Sequence, residues 1–139
     1  MICPCDTGRR YEKCCKLLHE GMFATNPLAL MRSRYSAFAL GLVSYLNATQ
    51  TLDVIDELDD SRWTRLLIHD AGADWVRFSA RWEANGHVGT LSEHSHFEQR
   101  EGQWLYTQGE SLDMGALTLP SRNANCWCAS GKKFKRCHG

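Results

Sequence analysis

The chain has 139 residues, of which 43% are hydrophobic and 23% charged, with five tryptophans and seven cysteines; this is one domain's worth of globular protein. Formal net charge is zero, so bulk electrostatics select no partner class. No apolar run is long enough for a membrane-spanning helix, and the start lacks the apolar stretch of a secretory signal.

In chain order, the first element is a cysteine cluster: Cys3-Pro4-Cys5, eight residues, then Cys14-Cys15. Thr25-Asn26-Pro27 next reads as a helix start, with Asn26 as cap and Pro27 at the first helical position. Leu28, Met31, Tyr35, Phe38, Leu42 and Tyr45 recur at helical spacing, which predicts one helix to about Asn47. Ala37 and Gly41 lie four apart on it, a small-residue side suited to close approach. Ser61 is predicted to cap a second helix with Trp63, Leu66 and Leu67 inward, ending near Gly72. The period then changes to two. Val76, Phe78, Ala80 and Trp82 alternate with Arg77, Ser79, Arg81 and Glu83, a half-buried strand. Asn85-Gly86 signals a hairpin, a second strand runs from Val88 to Glu98, Glu101-Gly102 turns the chain again, and a third strand covers Gln103 to Gly109. Helices first and antiparallel strands after define an α+β fold, N-terminal helices packed on an antiparallel sheet.

The chain closes on Cys126-Trp127-Cys128, eight residues, Cys137-His138, so a shift of 123 positions superimposes all four candidate ligands on the first cluster. The shift also matches Gly8 with Gly131 and Tyr11 with Phe134. Seven cysteines and His138 make two sets of four: Cys3, Cys5, Cys14 and Cys15, then Cys126, Cys128, Cys137 and His138. Four thiolate or imidazole donors complete a closed tetrahedral zinc site, so two zinc ions are expected. The competing reading, disulfides, fits poorly, because cysteines two apart rarely meet disulfide geometry. The cysteine count without an export signal also points to a reducing, cytoplasmic setting. Zinc binding supplies about 10–16 kcal/mol of apparent folding energy to such a site. Charge follows the same division: residues 1–19 carry +2, residues 121–139 carry +5, and the middle carries −7.

The stretch RNANCWCASGKKFKRCHG resembles the SEC-C motif, the zinc-binding tail at the end of the SecA translocation motor, and CPCDTGRRYEKCC resembles a second copy. Asn125 and Trp127 stand where prolines are usual, and Asp6 and Ala129 where glycine is usual, departures that bear on loop geometry. LMRSRYSAFALG, followed by FSARWEANGHVGTLSEHSHFEQREGQWLYTQG, resembles the YchJ-like bacterial family. That resemblance implies a body of the nuclear-transport-factor-two-like (NTF2-like) type, a curved sheet wrapped by helices into a cone, between SEC-C ends. Three segments follow: a knuckle over 1–19, the body over 20–120 and a knuckle over 121–139. Many members carry Trp-His-Pro after the first helix, where this chain has Asn47-Ala48-Thr49-Gln50, so a pocket using that histidine is altered.

A cone is a natural small-molecule pocket, and the candidate lining is Arg32, Arg34, Tyr35 and Glu93. Glu93, Ser95 and Phe97 share one face of a strand. An inward Glu93 is expected to pair with Arg32 or Arg34, as a functional carboxylate or as an ion pair locking helix to sheet. His94 and His96 share the other face, with no third ligand at suitable spacing. The chain carries no nucleophile elbow, phosphate loop or paired-carboxylate signature, so no catalytic residue is assigned. Lys132, Lys133, Lys135 and Arg136 form a cationic knuckle suited to an acidic protein surface or an RNA backbone. The SEC-C resemblance implies contacts with a chaperone, the ribosome or acidic lipids, and the cone implies dimerisation through the sheet. A groove-reading helix is missing, which excludes sequence-specific DNA binding. The function expected is a zinc-binding cytoplasmic adaptor or docking protein. The alternative is a small-molecule enzyme, a hydrolase or isomerase, working inside the cone.

Overall fold

In the computed structural model, which describes residues 1–112, the longest helix begins where its capping chemistry demands. Asn26 Oδ1 accepts the Ala29 N–H at 2.8 Å, and Pro27 occupies the first turn, where its missing N–H costs nothing. This helix, α2 (Pro27–Leu40), follows a 3-10 turn at Tyr11–Lys13 and a short α1 (Cys15–His19). It stops well before Asn47. Gly41 takes φ 75°, in the left-handed region, and its N–H returns to the Ala37 carbonyl, which ends the helix as a glycine does. The chain then starts again as α3 (Val43–Ala48). A Cβ at Gly41 would meet nothing within 4 Å, so this glycine serves conformation and not the close approach expected of it.

The helix α2 is buried on more than one side. Leu30, Met31, Tyr35 and Ala37 are buried, and so are Ser33 and Ser36. Ser33 Oγ donates to the Leu30 carbonyl at 2.7 Å, which satisfies a hydroxyl held away from water.

Four antiparallel strands follow in the order β1 (Arg62–Ala71), β2 (Trp75–Ala84), β3 (His87–Arg100) and β4 (Gln103–Ser111). The segment read as a second helix is therefore an edge strand. Its pairing with β2 slips at Thr64 and again at His69, each an extra residue on β1. These bulges place Trp63, Leu66, Ile68 and Ala71 opposite Trp82, Ala80, Phe78 and Val76. The bulge at Thr64 sets the inward Trp63 and Leu66 three apart, a helical spacing, which is why the period misled. Leu67, expected inward, faces Ser79 instead.

The two tight hairpins form where the turn residues predicted them. Asn85 and Gly86 have φ 52° and 80°, and Glu101 and Gly102 have φ 52° and 82°; both central residues left-handed is the hairpin turn whose twist matches the strands. Beyond α3 the chain lies against β4, with Thr51 N–H donating to the Tyr106 carbonyl (3.0 Å) and Tyr106 N–H to Thr49 (2.8 Å).

The core forms where Leu30, Met31 and Tyr35 of α2 meet Leu66, Val76, Phe78, Ala80 and Phe97 of the sheet. Among the described residues no helix is long and apolar enough to cross a membrane.

Candidate functional site

Residues 1–19 fold into a clasp around sulfur. Cys3 N–H donates to the Arg9 carbonyl at 2.8 Å and Tyr11 N–H to Met1 at 2.9 Å, so the loop carrying Cys3 and Cys5 doubles back. The 3-10 turn then delivers Cys14 and Cys15 to the same spot. All four sulfurs lie within 4.8 Å of one another, with Cys5 and Cys14 3.6 Å apart. A tetrahedron of Zn–S bonds of about 2.3 Å needs sulfurs about 3.8 Å apart, so the donor set fits the ion. Cys3, Cys5 and Cys15 are buried, no disulfide joins the four, and Tyr11 packs over the cluster.

Without metal Cys5, Cys14 and Cys15 share protons unequally. The Cys15 thiol beside it holds Cys5 far below the ordinary thiol range, at about 4. Cys15, as the donor to that thiolate, is pushed up, and burial pushes Cys14 up. A divalent cation would displace the remaining protons, since thiolate is the ligand form.

The clasp is tied to the body at four places. Asp6, at φ 68°, accepts from Arg65 Nη1 (2.8 Å) and from the Leu66 N–H (2.7 Å). The departure from glycine thus keeps the left-handed backbone and adds a carboxylate that covers the exposed edge of β1. Arg32 Nη1 donates to the Cys5 carbonyl at 2.7 Å, and Cys3 Sγ lies 3.5 Å from Ser36 Oγ. Finally, His19 joins the Tyr11 hydroxyl at Nδ1 (2.7 Å) to the Ser33 carbonyl at Nε2 (2.8 Å). Burial holds the His19 pKa below its ordinary value.

The body encloses a cavity of about 140 Å³ between α2 and the inner face of the sheet. Arg34, Tyr35 and Glu93 line it. Arg32 does not. It sits only one residue from Met31, and a helix turns about 100° per residue, which carries its side chain round to Cys5. Nor does Glu93 form the expected ion pair. Its Oε2 accepts from Ser95 Oγ at 2.5 Å and from Tyr106 Oη at 3.0 Å. Arg34 is drawn instead to the end of α3, donating to the Leu46 carbonyl, Thr49 Oγ1 and Gln50 Oε1, each at 2.9 Å. Its guanidinium lies over the Tyr106 ring, 4.7 Å from the centroid. Burial draws its pKa down to about 10, which leaves it cationic at neutral pH. Desolvation pushes the Tyr35 hydroxyl up and the Tyr106 hydroxyl up.

On the opposite face His94 accepts from Arg77 Nε at 2.9 Å and His96 pairs with Glu110 at 2.5 Å. Among the described residues only the four N-terminal cysteines gather as candidate metal ligands. The second set, Cys126, Cys128, Cys137 and His138, lies outside the described residues, as do Lys132, Lys133, Lys135 and Arg136. Two residues of consequence escaped the sequence reading. Tyr106 reaches Glu93 through the pairing of β3 with β4, which one strand alone does not reveal; Asp6 carried no signal beyond being an unusual residue at a glycine position.

Comparison with known proteins places these features in a group. A family model described as YchJ, middle NTF2-like domain, matches residues 26–109, and a model of the SEC-C motif matches residues 122–139. A UPF0225 protein from Shewanella sp. (strain MR-4) is 35% identical over 157 residues, covering 97% of this chain and 94% of that protein. A UPF0225 protein from Vibrio parahaemolyticus is 37% identical over 163 residues, covering 99% and 98%. The solution structure of a SEC-C motif containing protein from Rhodopseudomonas palustris superimposes with a TM-score of 0.69 at 31% identity, covering 81% of this chain and all of that one. The crystal structure of a SEC-C motif containing protein from Psychrobacter arcticus, at 22% identity and TM-score 0.62, shares the fold.

Proposed function

The chain belongs to the YchJ family of UPF0225 proteins, with an NTF2-like body and a SEC-C motif, and from that premise we propose that it is a zinc-clasped docking protein of the cytoplasm. The observation that carries the reading is the convergence of four cysteine sulfurs within 4.8 Å. Cys3, Cys5, Cys14 and Cys15 would hold one zinc, and Cys126, Cys128, Cys137 and His138 of the SEC-C motif a second. Each set is complete at four ligands. A closed site has no open position for substrate, so its ion is structural and not catalytic.

The clasps serve to present surface. The second would display Lys132, Lys133, Lys135 and Arg136 to an acidic protein or an RNA backbone. A phosphate partner gives binding that weakens steeply with salt, whereas an acidic protein surface gives a shallower dependence.

The test is metal analysis of the full chain purified without added zinc, followed by capture of partners with and without a chelator. Two equivalents of zinc and chelator-sensitive capture, lost in Lys132→Glu plus Lys135→Glu, are expected. A chain without metal overturns the clasp reading. A zinc-loaded chain whose interactions survive both charge reversals overturns the docking reading and leaves zinc as a staple.

A further inference from the structure

The cavity of the body shares no lining residue with the cysteine cluster, and its wall is built in unequal parts. Met31, Phe38, Trp63, Phe78, Leu91 and Phe97 surround a space of about 140 Å³. An apolar cavity of about 150 Å³ holds one benzene ring. Into this space comes the Glu93 carboxylate. The hydrogen bonds from Ser95 and Tyr106 both fall on Oε2; Oε1 takes none among the described residues. Two donors on one oxygen fix the rotation of the carboxylate and leave the second oxygen as an acceptor.

The chain makes room for that pair. A Cβ at Gly109 would come within 2.2 Å of Tyr106 Oη and 2.5 Å of the Glu93 carboxyl carbon. Any larger residue at 109 would force the two apart.

Charge decides what can sit on Oε1. Arg34 is buried, and its Nη donors go to Leu46, Thr49 and Gln50. From above the Tyr106 ring it offsets the charge of Glu93 without occupying it. A cationic ligand would add an uncompensated charge to a site already balanced, and a carboxylate would stand against Glu93; both are costly away from water. The geometry points to a binding site for a small uncharged ring, packed against the apolar wall and donating one O–H or N–H to Glu93 Oε1. Arg34, Phe38 and Tyr106 also border an open groove walled by Gln50, Thr51, Leu52, Asp53 and Ile55, which provides the way in.

Phenol is the probe, with benzene, benzylamine and benzoate as controls. The full metal-loaded chain is titrated and followed by amide shifts in two-dimensional NMR. Phenol is expected to saturate, with shifts at Phe78, Leu91 and Phe97, and to bind about tenfold more tightly than benzene, the effect of one hydrogen bond to a charged acceptor. The two charged probes should bind more weakly than benzene. Glu93→Leu should bring phenol down to the level of benzene while benzene still binds, and Gly109→Ala should weaken phenol selectively. Equal affinities for phenol and benzene in the unmodified protein overturn the proposal, whether or not the variants fold. So does tightest binding of benzylamine, a phenol response mapped elsewhere, or no saturation by phenol.

Discussion

Asp6 holds φ at 68°, a region where a side chain is strained, and returns the cost through two hydrogen bonds to β1. Removing the carboxylate strands the Leu66 N–H on a sheet edge. Asp6→Ala is therefore expected to lower stability by about 1–3 kcal/mol, read as a urea midpoint, and to speed exchange of the Leu66 amide. Unchanged exchange at Leu66 would show the bond to be dispensable. His19 carries a pH dependence whose sign is set by burial. Its pKa lies below the ordinary 6.5, so just below 6.5 the unfolded chain binds more protons than the folded one. Stability should rise as pH climbs through that window and level off above it. His69 is shifted the same way by the same cause, and thiols titrate too, so the informative quantity is the difference between the wild type and His19→Gln. The variant should show the shallower rise across roughly pH 5 to 7; identical slopes would remove His19 from the account.

At the level of elements, local chemistry was legible and long-range pairing was not. Asn26-Pro27 and Asn85-Gly86 signal a cap and a turn through their own backbone preferences, and both stand where expected. The strand β1 was hidden because its first bulge sets Trp63 and Leu66 three apart on the inward face, as a helix would; a bulge is a property of two strands together and leaves no mark in one. Apolar periodicity continues past Gly41 through Leu42 and Tyr45, yet the glycine's φ of 75° breaks the chain into α2 and α3. Since a Cβ there meets open space, Gly41→Ala tests conformation alone. It should cost about 1 kcal/mol, with Gly41→Asn milder because asparagine tolerates the left-handed region. Equal stabilities for all three would mean that the break is held elsewhere.

For the whole molecule, the repeated cysteine spacing announced the clasp, because a metal site needs only a few donors at short range. Alternation puts Ser95 beside Glu93, but its other partner, Tyr106, stayed obscure. Which strand positions meet depends on a register between β3 and β4 that slips at Thr107, and no single segment encodes that. Stripping metal from the full chain should lower its melting temperature and speed amide exchange over residues 1–19. The β3–β4 hairpin, remote from the clasp, should change least; uniform acceleration would instead mean that the clasp is inseparable from the global fold.

One helix joins what is otherwise separate. Along α2, Arg32 and Ser36 reach toward the sulfurs, while Met31, Arg34 and Tyr35 line the hollow on its other side. A rod gripped on two flanks transmits any loosening from one to the other, and such transmission works in both directions by thermodynamic necessity. Chelation should therefore weaken phenol, and phenol should tighten metal binding by the same free energy, making metal supply an input that the interior can sense.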